Sequence, residues 1–257
     1  MLDRRPNGAP AGGIEAPRVT DCTPTGVTKM TKRLRLPAGT LAIALLGHGP
    51  LAQAYEYDRY NGEQINEVCA GCHGEFGQGG NEGEYPRLAG QPAGFIAKQL
   101  LLFRERRRPN MAMIEYVDHR QMPDDDIQDI SRFLAELELK TKLPPVDEGA
   151  PGFDAYARLL EAKKLMQVPR AEGDTEKGGA LYRRECGSCH GREGWGDAAK
   201  GAPMLAGQYT SYLWRQVDKY RNQIRIHDED SPEEELLAAF TNEELEDIFA
   251  YLSVVDD

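Results

Sequence analysis

The amino-acid sequence predicts an all-α protein made of two tandem copies of one helical unit, joined by a Pro/Gly linker and an extra helix. Three observations predict this. A Cys-x-x-Cys-His run occurs twice, as Cys69, Cys72 and His73 and as Cys186, Cys189 and His190. The surrounding sequence repeats with it. The offset is 117 residues at the first cysteines, and it is the same at Pro86 against Pro203, at Leu88-Ala89-Gly90-Gln91 against Leu205-Ala206-Gly207-Gln208, and at Phe103-Arg104 against Tyr220-Arg221. Apolar residues recur at helical spacing, and no stretch alternates as a half-buried strand would.

Each element follows from local signals. A helix over 61–68 delivers the first cysteine pair, and one over 175–184 delivers the second. Glycine-rich loops follow each motif. Past Gln91 and Gln208 come helices carrying Phe95, Leu100 and Phe103, or Tyr212, Leu213, Val217 and Tyr220. Each unit closes on an amphipathic helix. In the first, Ile127, Ile130, Leu134 and Leu137 share a face, with Pro123 suited to the first turn. In the second, Leu245, Ile248, Phe249 and Leu252 do so, and Thr241 with Glu244 forms a capping box. By then the offset has grown to 118, at Asp129-Ile130 against Asp247-Ile248, so the units differ in length only in the loop before the last helix. Between them, TKLPPVDEGAPG cannot continue a helix. A further helix over 153–166 comes next and is expected to pack between the units. The expected boundaries are 1–54 for a removed leader, 55–140 for unit one, 141–173 for the linker and 174–257 for unit two.

The leader reads as a secretory signal. Lys32, Arg33 and Arg35 form a basic start, Leu36 to Leu46 a short apolar stretch, and Ala52-Gln53-Ala54 a small-x-small cleavage site. Met30 is the expected true start, residues 1–29 reading as an over-extended frame or leader, and cleavage after Ala54 removes Cys22. The chain carries a net charge of −11, and loss of the leader leaves 24 basic and 39 acidic side chains, net −15. So acidic a surface argues against nucleic acid. No apolar run reaches the length of a membrane span.

Cys-x-x-Cys-His is a c-type haem attachment signature. Two thiols one helical turn apart reach the two vinyl groups of one porphyrin, and the histidine is directed at the iron. Cys69, Cys72, Cys186 and Cys189 are then haem-binding, and His73 and His190 are iron ligands. Zinc sites are disfavoured, because outside the motifs the mature chain has only His119 and His227. A thioredoxin-like redox pair would need a βαβ context that is absent. Haem attachment in bacteria takes place outside the cytoplasm, so motifs and leader support one another and imply a periplasmic protein with two covalent haem c groups.

These residues resemble the class I c-type cytochromes. Two such units, each with Leu-Ala-Gly-Gln after its motif, resemble the di-haem cytochrome c4 kind and the cytochrome subunit of flavocytochrome c sulfide dehydrogenases. The resemblance covers roughly 60–138 and 174–254. It implies that Pro86 and Pro203 lie under the proximal histidines, whose rings their carbonyls orient. It also implies a sixth ligand, usually methionine, from the loop before the last helix. Unit one offers Met113, the expected ligand, and Met111 as the alternative; Met122 reads as core and His119 as surface. Unit two has no methionine in this loop, since Met204 lies in the proline motif on the proximal side. Its candidate is His227, the alternatives being a solvated histidine beside an open or Lys-ligated iron.

Thioether ligation favours ferrous iron and a high potential, and a second imidazole leaves it lower. The expected function is periplasmic electron transfer between a dehydrogenase and a downstream carrier or oxidase, entering at haem two and leaving through haem one. The alternatives are a haem enzyme with an open iron at the second haem, and the cytochrome subunit of a larger sulfur-oxidising oxidoreductase. The mature chain has no spare cysteine for the thiolate ligation that di-haem thiosulfate-oxidising enzymes use. Arg104, Arg106, Arg107 and Arg108 read either as partners of the haem propionates or an acidic protein, or as a solvated helix end. The acidic run after His227 reads as a solvated face or as a site for a basic partner. Trp195 and Trp214 read as haem-pocket packing.

Overall fold

The structure is a computed structural model that describes residues 55–118, 122–166, 168–227 and 237–255. The leader with Cys22, His119 and the acidic run after His227 lie outside the described residues. Among the described residues the fold is helical, with only isolated β-bridges. No described helix is long and apolar enough to cross a membrane.

Each half is built on a crossing of its first and last helices. In the first half these are α1 (Arg59–His73) and α4 (Asp124–Glu136). Asp58 caps α1 by accepting from the Asn61 N–H, and three aspartates in the first turn of α4 favour its positive end. The helices meet at Gly62, where a Cβ would come within 2.7 Å of the Asp129 carbonyl and 2.8 Å of Phe133 Cβ. Mid-helix glycine costs about 1 kcal/mol relative to alanine, and here that cost permits close contact between the two backbones. In the second half α6 (Thr175–Glu185) meets α9 (Asn242–Leu252) at Gly178, against the backbone of Asp247. The expected capping box of α9 is present.

The paired aspartates of the repeat lock these crossings. The Asp129 carboxylate accepts from the Asp58 N–H at 2.7 Å and from Asn61 at 2.9 Å. Asp247 accepts from the Asp174 N–H at 2.8 Å and pairs with Lys177 at 2.7 Å. That pairing holds the Asp247 carboxyl below the usual carboxylate range.

Around the crossings lie α2 (Ala93–Arg104) and α3 (Met111–Val117) in the first half and α8 (Thr210–Arg221) in the second. Two separate apolar cores result. One gathers Leu100, Phe103, Val117, Ile127, Ile130 and Leu134; the other gathers Leu181, Tyr182, Val217, Leu245, Ile248 and Leu252. Trp214 packs edge-on to Phe249 at 5.0 Å. Helix α3 occupies a stretch that the sequence reads as loop. The extra helix is shorter than expected, α5 (Ala155–Ala162), and it buries no residue: Tyr156 and Leu159 stand exposed. It therefore does not pack between the halves. Asp154 caps it, and the linker closes on itself where the Met166 N–H donates to the Lys140 carbonyl at 2.8 Å.

The halves are joined directly by two glutamines. The Gln91 carboxamide donates to the Met204 carbonyl and accepts from its N–H, both at 2.9 Å. Gln208 does the same to Arg87, at 3.0 and 2.9 Å. All four residues are buried. A carboxamide carries both a donor and an acceptor, so it satisfies the N–H and the carbonyl of one residue as a neighbouring strand would.

Replacing Gly178 by alanine is expected to force α6 from α9 and lower stability by about 1–3 kcal/mol, read as a fall in thermal midpoint. Gly94→Ala, where a Cβ meets nothing within 4 Å, is expected to leave the midpoint unchanged or raise it slightly.

Candidate haem sites

The first motif lies inside α1, so Cys69 and Cys72 face the same way one turn apart and His73 ends the helix. Gly74 stops it at φ 80° and ψ 153°, a region open to glycine. In the second half α6 ends at Glu185, Cys186 leaves regular helical geometry, and the short helix α7 (Gly187–His190) carries Cys189 and His190 up to Gly191, also at φ 80°. Cys69 and Cys186 are partly buried, Cys72 and Cys189 exposed. Burial pushes the Cys69 and Cys186 thiols up to about 11.

The chain after each histidine turns back so that a proline carbonyl meets the ring. His73 Nδ1 lies 3.0 Å from the Pro86 carbonyl, and His190 Nδ1 lies 2.9 Å from that of Pro203. A carbonyl only accepts, so each Nδ1 carries the proton and each Nε2 keeps its lone pair. Burial lowers both imidazole pKa values, which keeps the rings neutral and able to bind a metal. The return loops are held by their own backbone. The Gly79 and Gly196 N–H groups donate to the His73 and His190 carbonyls at 2.7 and 2.8 Å, and Leu88 and Leu205 donate to Gly77 and Gly194 at 2.8 and 2.7 Å.

The candidate sixth ligands differ between the halves. Met113 is partly buried against the first core, whereas Met111 is 65% exposed and Met122 is buried within the core. His227 is partly buried, and its ring centroid lies 6.0 Å from that of His190, at 62° between planes. Two imidazoles bound to one metal, each through a nitrogen about 2 Å from it, stand about this far apart. Tyr220 packs on His227 at 5.1 Å. Met204 is buried, with its backbone in the seam between the halves.

The arginine cluster divides. Arg104 pairs with Asp124 at 2.7 Å, and Arg107 lies 3.5 Å from Glu105. Arg108 turns inward, donating to Gln99 at 2.8 Å and to the Tyr212 hydroxyl at 3.0 Å. Its counterpart 117 residues on, Arg225, is buried and donates to Gln216 at 2.7 Å and Gln99 at 3.0 Å. Burial and the neighbouring Arg225 pull Arg108 below the ordinary guanidinium value. Two enclosed cations held among neutral amides and phenols suit a group that brings its own carboxylates, as the propionates of haem do. The thiol pairs, the imidazole lone pairs and these cations all fit that group.

The sequence model described as cytochrome c matches residues 60–138 and 175–256. The chain belongs to the cytochrome c family. It is a di-haem class I cytochrome with two covalently bound haem c groups, and it is an electron-transfer protein. A curated relative, the thiosulfate dehydrogenase electron acceptor of Stutzerimonas stutzeri, is 28% identical over 85% of this chain and 93% of its own. Cytochrome c4 of Pseudomonas aeruginosa is 26% identical over 76% and 87%. The solved structure of reduced cytochrome c4 from Pseudomonas stutzeri matches with a TM-score of 0.57 at 22% identity, covering 77% of this chain and 98% of that one, which shows the shared fold.

Three residues of this cytochrome have roles that their local sequence does not mark. Gln91 and Gln208 were visible only as part of the repeated motif, and Arg225 passed unremarked although it stands at the repeat position of Arg108. The signal for the latter was the pairing of Gln99 with Gln216 and Arg108 with Arg225 at the same offset.

Gly191→Ala places a Cβ at φ 80° and 2.9 Å from the Gly196 carbonyl. It is expected to cost about 1–3 kcal/mol at the turn after His190 and to reduce haem content below two per chain, measured by the pyridine haemochrome assay.

Proposed function

We propose that this electron-transfer protein works in the periplasm with two chemically unequal centres. In this reading Cys69 and Cys72 hold one haem and Cys186 and Cys189 the other, through thioethers. His73 and His190 bind iron on the side where Pro86 and Pro203 orient them. Met113 and His227 would supply the remaining protein ligand of the first and second iron. When bound, haem supplies a one-electron ferric/ferrous couple; the protein sets its potential by the choice of ligands and by burial. The Met113 thioether favours the ferrous state and raises the potential of the first centre. The His227 imidazole leaves the second lower.

The 6.0 Å separation of the His190 and His227 rings carries this reading. The burial of Met113 against the exposure of Met111 supports the choice between those two. Export is supported by the signal-like leader and by the site of haem attachment in bacteria. The proposed donor is a periplasmic dehydrogenase and the acceptor a downstream carrier or oxidase. A relative named as the electron acceptor of thiosulfate dehydrogenase supports a donor of that class. Pro86 and Pro203 act here as positioning residues, since their carbonyls hold the imidazoles without touching the metal.

The test is a redox titration of the purified holoprotein, with His227→Ala and His227→Met beside it. Wild type is expected to titrate in two separate steps. His227→Met should raise the lower step towards the upper. His227→Ala should leave the second centre open, with a high-spin ferric spectrum and a response to carbon monoxide. Two indistinguishable potentials in wild type, or a carbon monoxide response before any substitution, would count against the assignment.

A further inference from the structure

The return loop of the first half ends on the Pro86 carbonyl that meets His73. Its Tyr85 ring also stands edge-on to the His73 ring, with centroids 6.2 Å apart. Within the loop Asn81 and Glu82 both lie in the left-handed region, at φ 50° and 53°, and Gly83 follows at 88°. Side chains rarely hold that conformation unless their surroundings impose it. Here the surroundings belong to the other half. Ser211 of α8 donates its hydroxyl to the Glu82 carbonyl. Arg215, one turn on, donates to the Gly83 carbonyl and, at 3.1 Å, to the Glu84 carbonyl. A guanidinium suits this, because its donors form a rigid planar fork. Its other contacts are longer: the Ser211 carbonyl at 3.4 Å, the Glu84 carboxylate at 3.9 Å and the Tyr212 ring at 5.8 Å. Tyr209 closes the fit, since a Cβ on Gly83 would come within 2.5 Å of Tyr209 Cβ. With Gln208 on Arg87, the second half holds the loop on both sides of Pro86.

The turn of the second site holds itself. It carries Asp197 where the first has Gly80. The Asp197 carboxylate accepts from the Ala199 and Lys200 N–H groups at 2.9 and 3.2 Å. Between residues 197 and 203 only Gly201 has a positive φ. The residues of the first half that match Ser211 and Arg215 are Gly94 and Lys98. Gly94 has no side chain to donate. Lys98 is exposed, and its side chain makes no hydrogen bond or ion pair among the described residues.

We infer that Arg215, assisted by Ser211, is a positioning residue that the second half supplies to the first haem site. It fixes the carbonyls of residues 82–84, and through them the Pro86 carbonyl that sets the His73 ring. Without it two successive carbonyls lose their donor and the left-handed pair loses its hold. The inference rests on the reading of His73 as ligand of the first iron, and not on Met113 or His227.

The test compares wild type, Arg215→Ala and Ser211→Ala/Arg215→Ala as reduced holoproteins with isotope-labelled histidine ring nitrogens. The Nδ1 proton of His73 should exchange with solvent about tenfold or more faster in both variants, because the loop opens more readily. That of His190 should keep its wild-type rate. In a redox titration the potential of the first centre should rise, since a weaker Nδ1–H bond makes the imidazole a poorer donor to ferric iron. Loss of a positive charge alone would lower it. Lys98→Ala, at the matching position, should change neither exchange rate. Unaltered His73 exchange, equal acceleration at His190, the same acceleration in Lys98→Ala, or a fall in the first potential would overturn the inference. The His73 Nε2 chemical shift reports separately whether that nitrogen binds iron, so the ligand reading and the role of Arg215 fail independently.

Discussion

A hydrogen bond from each motif histidine to a proline carbonyl 13 residues downstream organises this protein. The bond requires the chain to reverse after the histidine, which accounts for the glycines at 74 and 191. It fixes the tautomer, leaving Nε2 as the only ring nitrogen with a lone pair. It also places the neighbouring backbone at the seam. The residue after each proline, Arg87 or Met204, is gripped by the opposite half's glutamine. The element that orients a ligand in one half therefore joins it to the other.

That connection gives two small cores a shared seam without merging them. A unit of this size buries too little surface to be robust alone. The seam adds buried hydrogen bonds between backbone and carboxamide and places Arg108 and Arg225 together where the halves meet. Two cations at such a place are a cost unless anions join them. The carboxylates of bound haem would offset that cost, and cofactor attachment would then favour association of the halves.

The helical class, the duplication and the cofactor signature were legible in the sequence because they rest on local spacing. The Thr241–Glu244 cap is an interaction between near neighbours, and the structure contains it. The missed features are those in which a residue's partner is remote. Gln91 and Met204 are 113 residues apart, and nothing local marks a glutamine that binds backbone. The extra helix was expected to pack between the halves, yet apolar residues such as Tyr156 and Leu160 on one short helix bury nothing unless another surface covers them. The arginine run read as one cluster; its members point to different partners because the chain reverses at Arg106, which has φ 60°.

Duplication and later divergence explain the contrasts. The histidine–proline bond is the same in both halves, whereas the candidate sixth ligand is Met113 in one and His227 in the other. Low-temperature near-infrared magnetic circular dichroism of the oxidised wild-type holoprotein distinguishes unequal from equal ligation of the two irons. Unequal ligation by Met113 and His227 should give two ligand-to-metal charge-transfer bands of similar weight, one of the histidine–methionine type and one of the bis-histidine type. A single band of either type, or a high-spin contribution from one iron, would contradict it.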